Sequence, residues 1–182
     1  MKHGWPGRAT VRLEPWGHGD LPLLEQLLGD PAMTSHVGGP ETAEKLAERQ
    51  ASYQEPGSRQ HKIVVDGQGA GWVGYWEREW RGEQVFETGW SVIPRFQGRG
   101  VASEATGQLI EIARAERTLR FMHAYPSVEN APSNAICRKT GFALLGECEF
   151  EYPKGHVMRC NDWRYDLFDA SSRVVGPEGS DP

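Results

Sequence analysis

At 182 residues the chain is long enough for one domain that buries roughly 70% of its unfolded surface, and its mixed charge of -5, from 20 basic and 25 acidic residues, offers no basic face for nucleic acid. No apolar run approaches the ~20 residues that span a bilayer, and Met1 to Arg8 lacks the apolar core of a signal peptide, so a cytosolic protein without membrane contact is expected. Three cysteines (Cys137, Cys148 and Cys160) without a CxxC pair, and six scattered histidines, point to reduced thiols and no metal centre.

Residues 1–9 are glycine-rich and basic and are expected to be flexible; Thr10 to Leu13 then reads as a first strand. Asp20 is placed to cap a helix carrying Leu21, Leu24, Leu27 and Leu28, with Gly29 and Pro31 as its stop. Pro40-Glu41-Thr42 opens a second helix through Glu44 to Gln50, with Leu46 and Ala47 on its apolar side. His61 to Asp66 and Gly71 to Trp80 read as strands two and three, the latter with Trp72, Trp76 and Trp80 on one face and Val73 and Tyr75 on the other. The Gly69-Ala70-Gly71-Trp72-Val73-Gly74 match to GxGxxG runs into strand rather than opening a helix, so it is read as a hairpin turn and not a dinucleotide fingerprint. Arg81-Gly82-Glu83 is expected to be a second hairpin loop.

The stretch that organises the chain follows. Glu87 to Ile93 alternates as a strand and Pro94 ends it; from Val101 to Glu116, Ala102, Ala105, Leu109, Ile112 and Ala113 recur at helical spacing. Between them lies Gln97-Gly98-Arg99-Gly100-Val101-Ala102, two glycines at a helix N-terminus, where unpaired N–H groups and the helix dipole favour an anion. Arg95 and Arg99 agree with a phosphate cradle; an ordinary permissive turn is the competing interpretation, and no Walker Gly-Lys-Ser/Thr ending exists. Phe121 to Tyr125 is a fifth strand and Ala131 to Lys139 a short helix, capped by Asn130, with Pro132 in its first turn and Gly141 at its stop. Phe142 to Tyr152 and Val157 to Phe168 form a closing hairpin around Pro153-Lys154-Gly155, and residues 170–182 have the composition of a disordered tail.

The Gln97 turn resembles the Gln/Arg-x-x-Gly-x-Gly/Ala signature of the GNAT superfamily of acetyl-CoA-dependent N-acyltransferases, and Asn130-Ala131-Pro132-Ser133 through Lys139-Thr140-Gly141-Phe142 resembles its Asn-x-x-Ser/Ala helix ending in Lys-x-Gly-Phe. The resemblance covers residues 10–169 and implies a single GNAT-type α/β domain: a mixed, mostly antiparallel sheet of about seven strands, flanked by about four helices, with strands four and five splayed. It is most like the branch that acetylates ribosomal-protein N-termini. It implies transfer of acetyl from acetyl-CoA to a primary amine by direct attack in a ternary complex. Gln97, Gly98, Arg99, Gly100, Val101 and Ala102 would hold the pyrophosphate, Trp90, Ser91 and Val92 would pair with the pantetheine arm, and Asn130 and Ser133 would line it. The acceptor would be a small molecule or a protein N-terminus, and a homodimer is compatible with the family. A GNAT-fold module that senses or scaffolds an acyl-CoA without turnover is the alternative.

For catalysis the resemblance puts a glutamate near Glu87 as general base, and the Val92 N–H as oxyanion donor by analogy. A strand carboxylate paired with an arginine is the structural alternative for Glu87. The family's usual tyrosine falls at Cys137, so Ser133 or Cys137, one turn apart, is left to protonate the thiolate; Cys137 also reads as a buried small hydrophobe, and Ser133 as a first-turn helix residue. Glu147, Glu149 and Glu151 alternate with Cys148, Phe150 and Tyr152, which gives either a solvated face or an acidic wall beside the acceptor mouth. Trp76, Trp80 and Trp163 are candidates to line that mouth or to sit in the core, and His156 is expected to be an exposed tip residue.

Overall fold

The computed structural model describes residues 9–171, so the expectations for residues 1–8 and 172–182 lie outside the described part of the chain. The strands are β1 Val11–Pro15, β2 Gln60–Val65, β3 Gln68–Trp80, β4 Glu83–Val92, β5 Phe121–Ala124, β6 Ala143–Glu151 and β7 Val157–Asp166. The helices are α1 Leu21–Leu28, α2 Ala43–Tyr53, α3 Val101–Glu116 and α4 Ala131–Lys139. All seven strands form one sheet in the order β1-β2-β3-β4-β5-β7-β6. Every neighbouring pair is antiparallel except β4 and β5, which are parallel. The α/β sheet and four helices are those expected.

Local chemistry explains most of the borders. Thr42 caps α2 by accepting from the Lys45 N–H at 3.3 Å, and Asn130 caps α4 by accepting from the Ser133 N–H at 3.2 Å. Asp20 stands at the N-cap of α1 without capping it; its carboxylate takes the Gly17 N–H at 2.7 Å and Lys62 at 3.0 Å instead. The β2–β3 turn is Asp66-Gly67, both at positive φ, and not the glycine run that follows. Gly71 and Gly74 lie inside β3, where a Cβ would meet Ser91 O at 2.2 Å and Gln60 Oε1 at 2.0 Å, so close packing rather than turn geometry selects glycine there. That corrects the hairpin assignment of Gly69 to Gly74.

The two faces of the sheet are covered differently. α3 packs on β1, β3 and β4 with Val101, Ala105, Leu109, Ile110 and Ala113 buried, while Ile112 is 39% exposed. Ile110 therefore takes the inward place expected of Ile112. Fully burying Leu109 and Ile110 contributes about 1.5–3 kcal/mol each. α1 and α2 cover the opposite face, where Tyr53 of α2 stacks on Trp72 of β3.

Candidate active site

The site begins as a failure of pairing. Ile93 N–H bonds Ala70 O at 2.9 Å, and an antiparallel ladder alternates bonded with unbonded pairs. Along the unbroken β3–β4 register, backbone groups of Trp90 and Val92 therefore turn away from β3 toward β5, whereas Ser91, opposite Trp72, bonds to β3. β5 meets β4 only at Phe86↔Met122 and Glu87↔His123. Beyond Glu87 the strands part. The Val92 carbonyl accepts Gln97 Nε2 at 2.8 Å, so the Val92 N–H and both backbone groups of Trp90 face the gap.

At the gap's outer end lies the glycine turn. Gly98 and Gly100 adopt φ of 70° and 77°, and a Cβ at either would meet nothing within 4 Å. Their need for glycine is conformational, and the space above them is open. Glu104 N–H is the first in α3 to bond back, to Gly100 O at 3.0 Å, which leaves the N–H groups of Val101, Ala102 and Ser103 without helical acceptors. Arg95 and Arg99 stand over the ring of buried Phe96 at 4.8 and 5.8 Å. The result is a cationic mouth at a helix N-terminus, suited to a phosphate.

The face covered by α1 and α2 is built from side chains instead. Trp76 lies opposite Glu87 in register, and its Nε1–H donates to Glu87 Oε2 at 3.1 Å; Arg78 donates to the same oxygen at 2.7 Å. The Glu87 side chain is 13% exposed. Burial pushes its carboxyl above the ordinary carboxylate range, outweighing the pull of Arg78 and Trp76 in the other direction. The Arg78 alternative for Glu87 is thus realised, together with a perturbation of the kind found at functional sites. Tyr53, Trp72 and Trp76 stack in a row at 6.0 and 6.3 Å, with Gly89 beneath the two tryptophans. Arg78 caps Phe150 at 4.3 Å, and the rings of Trp80, Tyr125 and Phe150 cluster, with centroids 4.7 Å apart for Trp80–Tyr125 and for Tyr125–Phe150 and 6.2 Å for Trp80–Phe150. The β6–β7 tip roofs this face: Arg49 of α2 donates to the Tyr152 hydroxyl at 3.1 Å, and a Cβ on Gly38 would meet Pro153 Cδ at 2.3 Å.

Further along the sheet is a buried, hydrogen-bonded histidine–aspartate pair that motif reasoning missed. His123 Nδ1 lies 2.6 Å from Asp162 Oδ1, with side chains 4% and 2% exposed, and Trp80 Nε1–H donates to Asp162 Oδ2 at 3.0 Å. Burial pushes the Asp162 carboxyl up, but the His123 and Trp80 hydrogen bonds outweigh it and hold the carboxyl below its ordinary value. The sequence signal was an aspartate inside the aromatic strand Asn161-Asp162-Trp163-Arg164-Tyr165, and a histidine two places from Tyr125 on the same strand face.

Other candidates fall elsewhere. Cys137 has no exposure, packs in the main core, and burial pushes its thiol up to about 12, while Ser133 is half-buried one turn earlier. Trp163 follows Asp162 on β7 and so turns to the other face, where it donates to Asn134 of α4 at 2.8 Å; it does not line the mouth with Trp76 and Trp80. Glu147, Glu149 and Glu151 likewise alternate with Cys148 and Phe150 and face away from Glu87. Arg159 pairs with Glu147, and Glu151 accepts the Gly155 N–H at 2.6 Å. They are a solvated face, as is His156 at the tip. Among the described residues no cluster of His, Cys, Asp or Glu could hold a metal ion, and no helix is long and apolar enough to cross a membrane.

Comparison with known proteins gives the same frame. The family model for the acetyltransferase (GNAT) domain matches residues 10–143. YnaD of Bacillus subtilis (strain 168), an uncharacterized N-acetyltransferase, is 34% identical over 82 residues, which is 45% of this chain and 45% of that relative, so the match spans less than half of its length. YncA from Salmonella typhimurium, solved with its cofactor acetyl-CoA, superposes with a TM-score of 0.71 at 18% identity over 94% of this chain and 99% of that one. The Salmonella typhimurium acetyl transferase that modifies the N-terminal serine of 50S ribosomal protein L7/L12 gives 0.69 at 20% identity over 86% and 95%. A sheet that parts between two parallel strands, with a glycine turn and a helix N-terminus at the mouth, defines an acetyltransferase-type domain. The chain belongs to the acetyltransferase (GNAT) domain family.

Proposed function

We propose that the protein is an N-acetyltransferase that moves an acetyl group from acetyl-CoA to a primary amine by direct attack in a ternary complex. The observation that carries this is Glu87: a buried, upward-shifted carboxylate on the aromatic face, at the last point where β4 and β5 touch before they part. The pyrophosphate sits on the N–H groups at the start of α3, and the pantetheine arm pairs with Trp90 and Val92 where β5 has left β4. Asn130 and Ser133 flank the arm from α4. The amine enters from the opposite face, past Trp76, and Glu87 takes its proton. Nitrogen then attacks the thioester carbonyl, the Val92 N–H faces the developing oxyanion, and the C–S bond breaks. Ser133 or water protonates the thiolate; full burial argues against Cys137.

The acceptor is an amine of low pKa, and an α-amine fits best. At pH 7 an α-amine near ~7.8 needs about 1 kcal/mol to deprotonate, while a lysine amine near ~10.4 needs about 4.6. One carboxylate, already hydrogen-bonded by Arg78, suits the smaller demand. The fold shared with the L7/L12 N-terminal enzyme supports the same class, and the outward-facing acidic row gives no reason to require a cationic acceptor. On this reading the protein works in the cytoplasm, where acetyl-CoA is available. A second reading, an acyl-CoA sensor without turnover, is favoured by one observation: Cys137, where the family resemblance would put a tyrosine, is fully buried. Release of CoA thiol from acetyl-CoA, measured with N-terminal peptides, aminoglycosides and polyamines, decides between them. Amine-dependent release with preference for α-amines is expected, and acetyl-CoA binding with no amine-dependent release establishes the sensor.

A further inference from the structure

The most deeply buried carboxylate among the described residues lies beside the site and has no role in the mechanism above. Asp162 on β7 is 1% exposed and His123 on β5 is 3% exposed, whereas most carboxylates here are on the surface. A buried hydrogen-bonded His–Asp pair is a weak device for stability, because desolvating both groups offsets much of their attraction. Its position is specific. His123 is the register partner of Glu87, so the two side chains stand next to each other on one face of the sheet, at the base of the gap.

The hydrogen bonds fix the imidazole. Asp162 is held ionised and can only accept, so it accepts a hydrogen bond from His123 Nδ1–H, and Trp80 donates to its second oxygen. With the proton on Nδ1, Nε2 is the ring atom left to accept a proton, and among the described residues it has no hydrogen-bond partner. Because Nδ1 is drawn toward β7, Nε2 is turned away from that strand. On the far side of Glu87, Trp76 and Arg78 hold one carboxylate oxygen. Polar groups on four adjacent strands thus share this face, Arg78 and Trp76 on β3 bonded to Glu87 on β4, and His123 on β5 bonded to Asp162 on β7, with Glu87 and His123 neighbours in register.

We propose that His123, oriented by Asp162, is a proton-relay residue that takes from Glu87 the proton surrendered by the acceptor ammonium. This rests on the acetyltransferase reading of the site. The ammonium loses one proton to Glu87 and Glu87 passes it through a water to Nε2, so the carboxylate is restored while the neutral amine attacks. The C–N bond forms, the C–S bond breaks, and the second N–H proton leaves with the thiolate as CoA thiol. The proton on Nε2 goes to water, so one proton is released for each ammonium acetylated. Asp162 never changes state; it is a positioning residue. Trp80 and Tyr125, whose ring stands 5.7 Å from that of His123, shield the pair.

Several other groups face this histidine. Arg164 is its register partner on β7, and Arg81 in the β3–β4 turn lies 4.0 Å from Asp162. Cys148 on β6 and Cys160 on β7 are opposite each other on the same face, and burial pushes each thiol up to about 11. Burial, reinforced by the Asp162 and Glu87 carboxylates, pushes the Tyr125 hydroxyl upward as well. Those three groups stay protonated at neutral pH.

The test measures amine-dependent CoA release across pH 5 to 10 for the full chain and for His123→Gln, Asp162→Asn and Glu87→Gln, with acetyl-CoA affinity by calorimetry and folding by circular dichroism. Expected are a 10- to 100-fold lower kcat for His123→Gln and a different pH profile, with acetyl-CoA affinity within threefold, in line with the loss of one general acid–base participant. Asp162→Asn, nearly isosteric, should give a smaller loss and convert His123 to the other neutral tautomer, read by 15N NMR of the imidazole. The double variant Glu87→Gln/His123→Gln should be no slower than Glu87→Gln alone, since the relay acts only through Glu87. A folded His123→Gln protein with the parent's pH profile, or additive losses in the double variant, overturns the relay while leaving the acetyltransferase assignment intact. Absence of amine-dependent release from the parent overturns both. If His123→Gln does not fold, an Asp162→Asn protein with unchanged profile and tautomer is sufficient to reject the proposal.

Discussion

The two ends of the cleft are made of different materials. The donor end is backbone: glycines at positive φ, open N–H groups on α3, and strand groups on β4 left free because β5 has diverged. The acceptor end is side chains: Glu87, Trp76, Arg78, Trp80, His123 and Asp162, drawn from β3, β4, β5 and β7 and largely enclosed. A backbone cradle can be destroyed only by occupying its space or changing its φ. A side-chain site is tuned by every member, through burial and hydrogen bonding. Substitutions at the donor end should therefore act on binding in an all-or-none way, and those at the acceptor end should grade the rate and its pH dependence.

The strongest expected break in that contrast is Gly100→Glu. At φ of 77° with open space around a Cβ, the substitution costs about 1–2 kcal/mol of backbone strain without a clash, yet it places a carboxylate where the pyrophosphate approaches. Loss of measurable acetyl-CoA binding by calorimetry, with the melting transition largely retained, is expected; Gly100→Ala should keep most of the affinity. Binding by Gly100→Glu within threefold of the parent removes the cradle assignment. Next in size is Glu87→Gln. It should lower kcat by roughly 10²- to 10⁴-fold with acetyl-CoA affinity unchanged, and should remove the rise of kcat/KM with pH.

The same contrast explains what the chain discloses before it is folded. α3 and α4 begin and end at the residues where their patterns do, because glycine, Asn130 and the capping hydrogen bonds are local. The phosphate turn of the donor end, Gln97 to Ala102, is equally local, six residues in a row. The acceptor end is spread from Tyr53 to Asp162, and only the register places Trp76 opposite Glu87 and Glu87 beside His123. Alternation identified Trp72, Trp76 and Trp80 as one face but could not give Trp163 its face, since that depends on which side of β7 meets α4. The glycines of Gly69 to Gly74 look like a turn by composition, while the reason for them, the close approach of Ser91 and Gln60, lies in other strands.

A smaller effect should come from Arg78→Met, and its sign can be worked out. Arg78 holds the Glu87 carboxyl down against burial, so removing it lets burial act with less opposition and moves that carboxyl further up. The low-pH limb of kcat/KM, where the base must lose its proton, should then move to higher pH. Trp76→Phe removes the weaker hydrogen bond and should move the limb the same way by less. A limb that stays in place or moves to lower pH means that Glu87 is not the group titrating in the free enzyme.

The smallest expected effect separates the two ends most cleanly. Gly89 lies on β4 between Glu87 and Ser91, and a Cβ there would stand 3.3 Å from Trp72 and 3.4 Å from Trp76. Those distances are tight but not prohibitive, so Gly89→Ala should be accommodated by a shift of a few tenths of an ångström in the two indoles. The shift moves the aromatic wall that the acceptor passes, and through Trp76 it disturbs the hydrogen bond to Glu87. The turn at Gln97 to Ala102 is on another part of the chain and is not touched. Acceptor KM should therefore rise several-fold, at little cost in kcat, while the acetyl-CoA affinity stays that of the parent. If Gly89→Ala instead weakens acetyl-CoA and spares the acceptor KM, the donor and acceptor sides of β4 have been assigned the wrong way round.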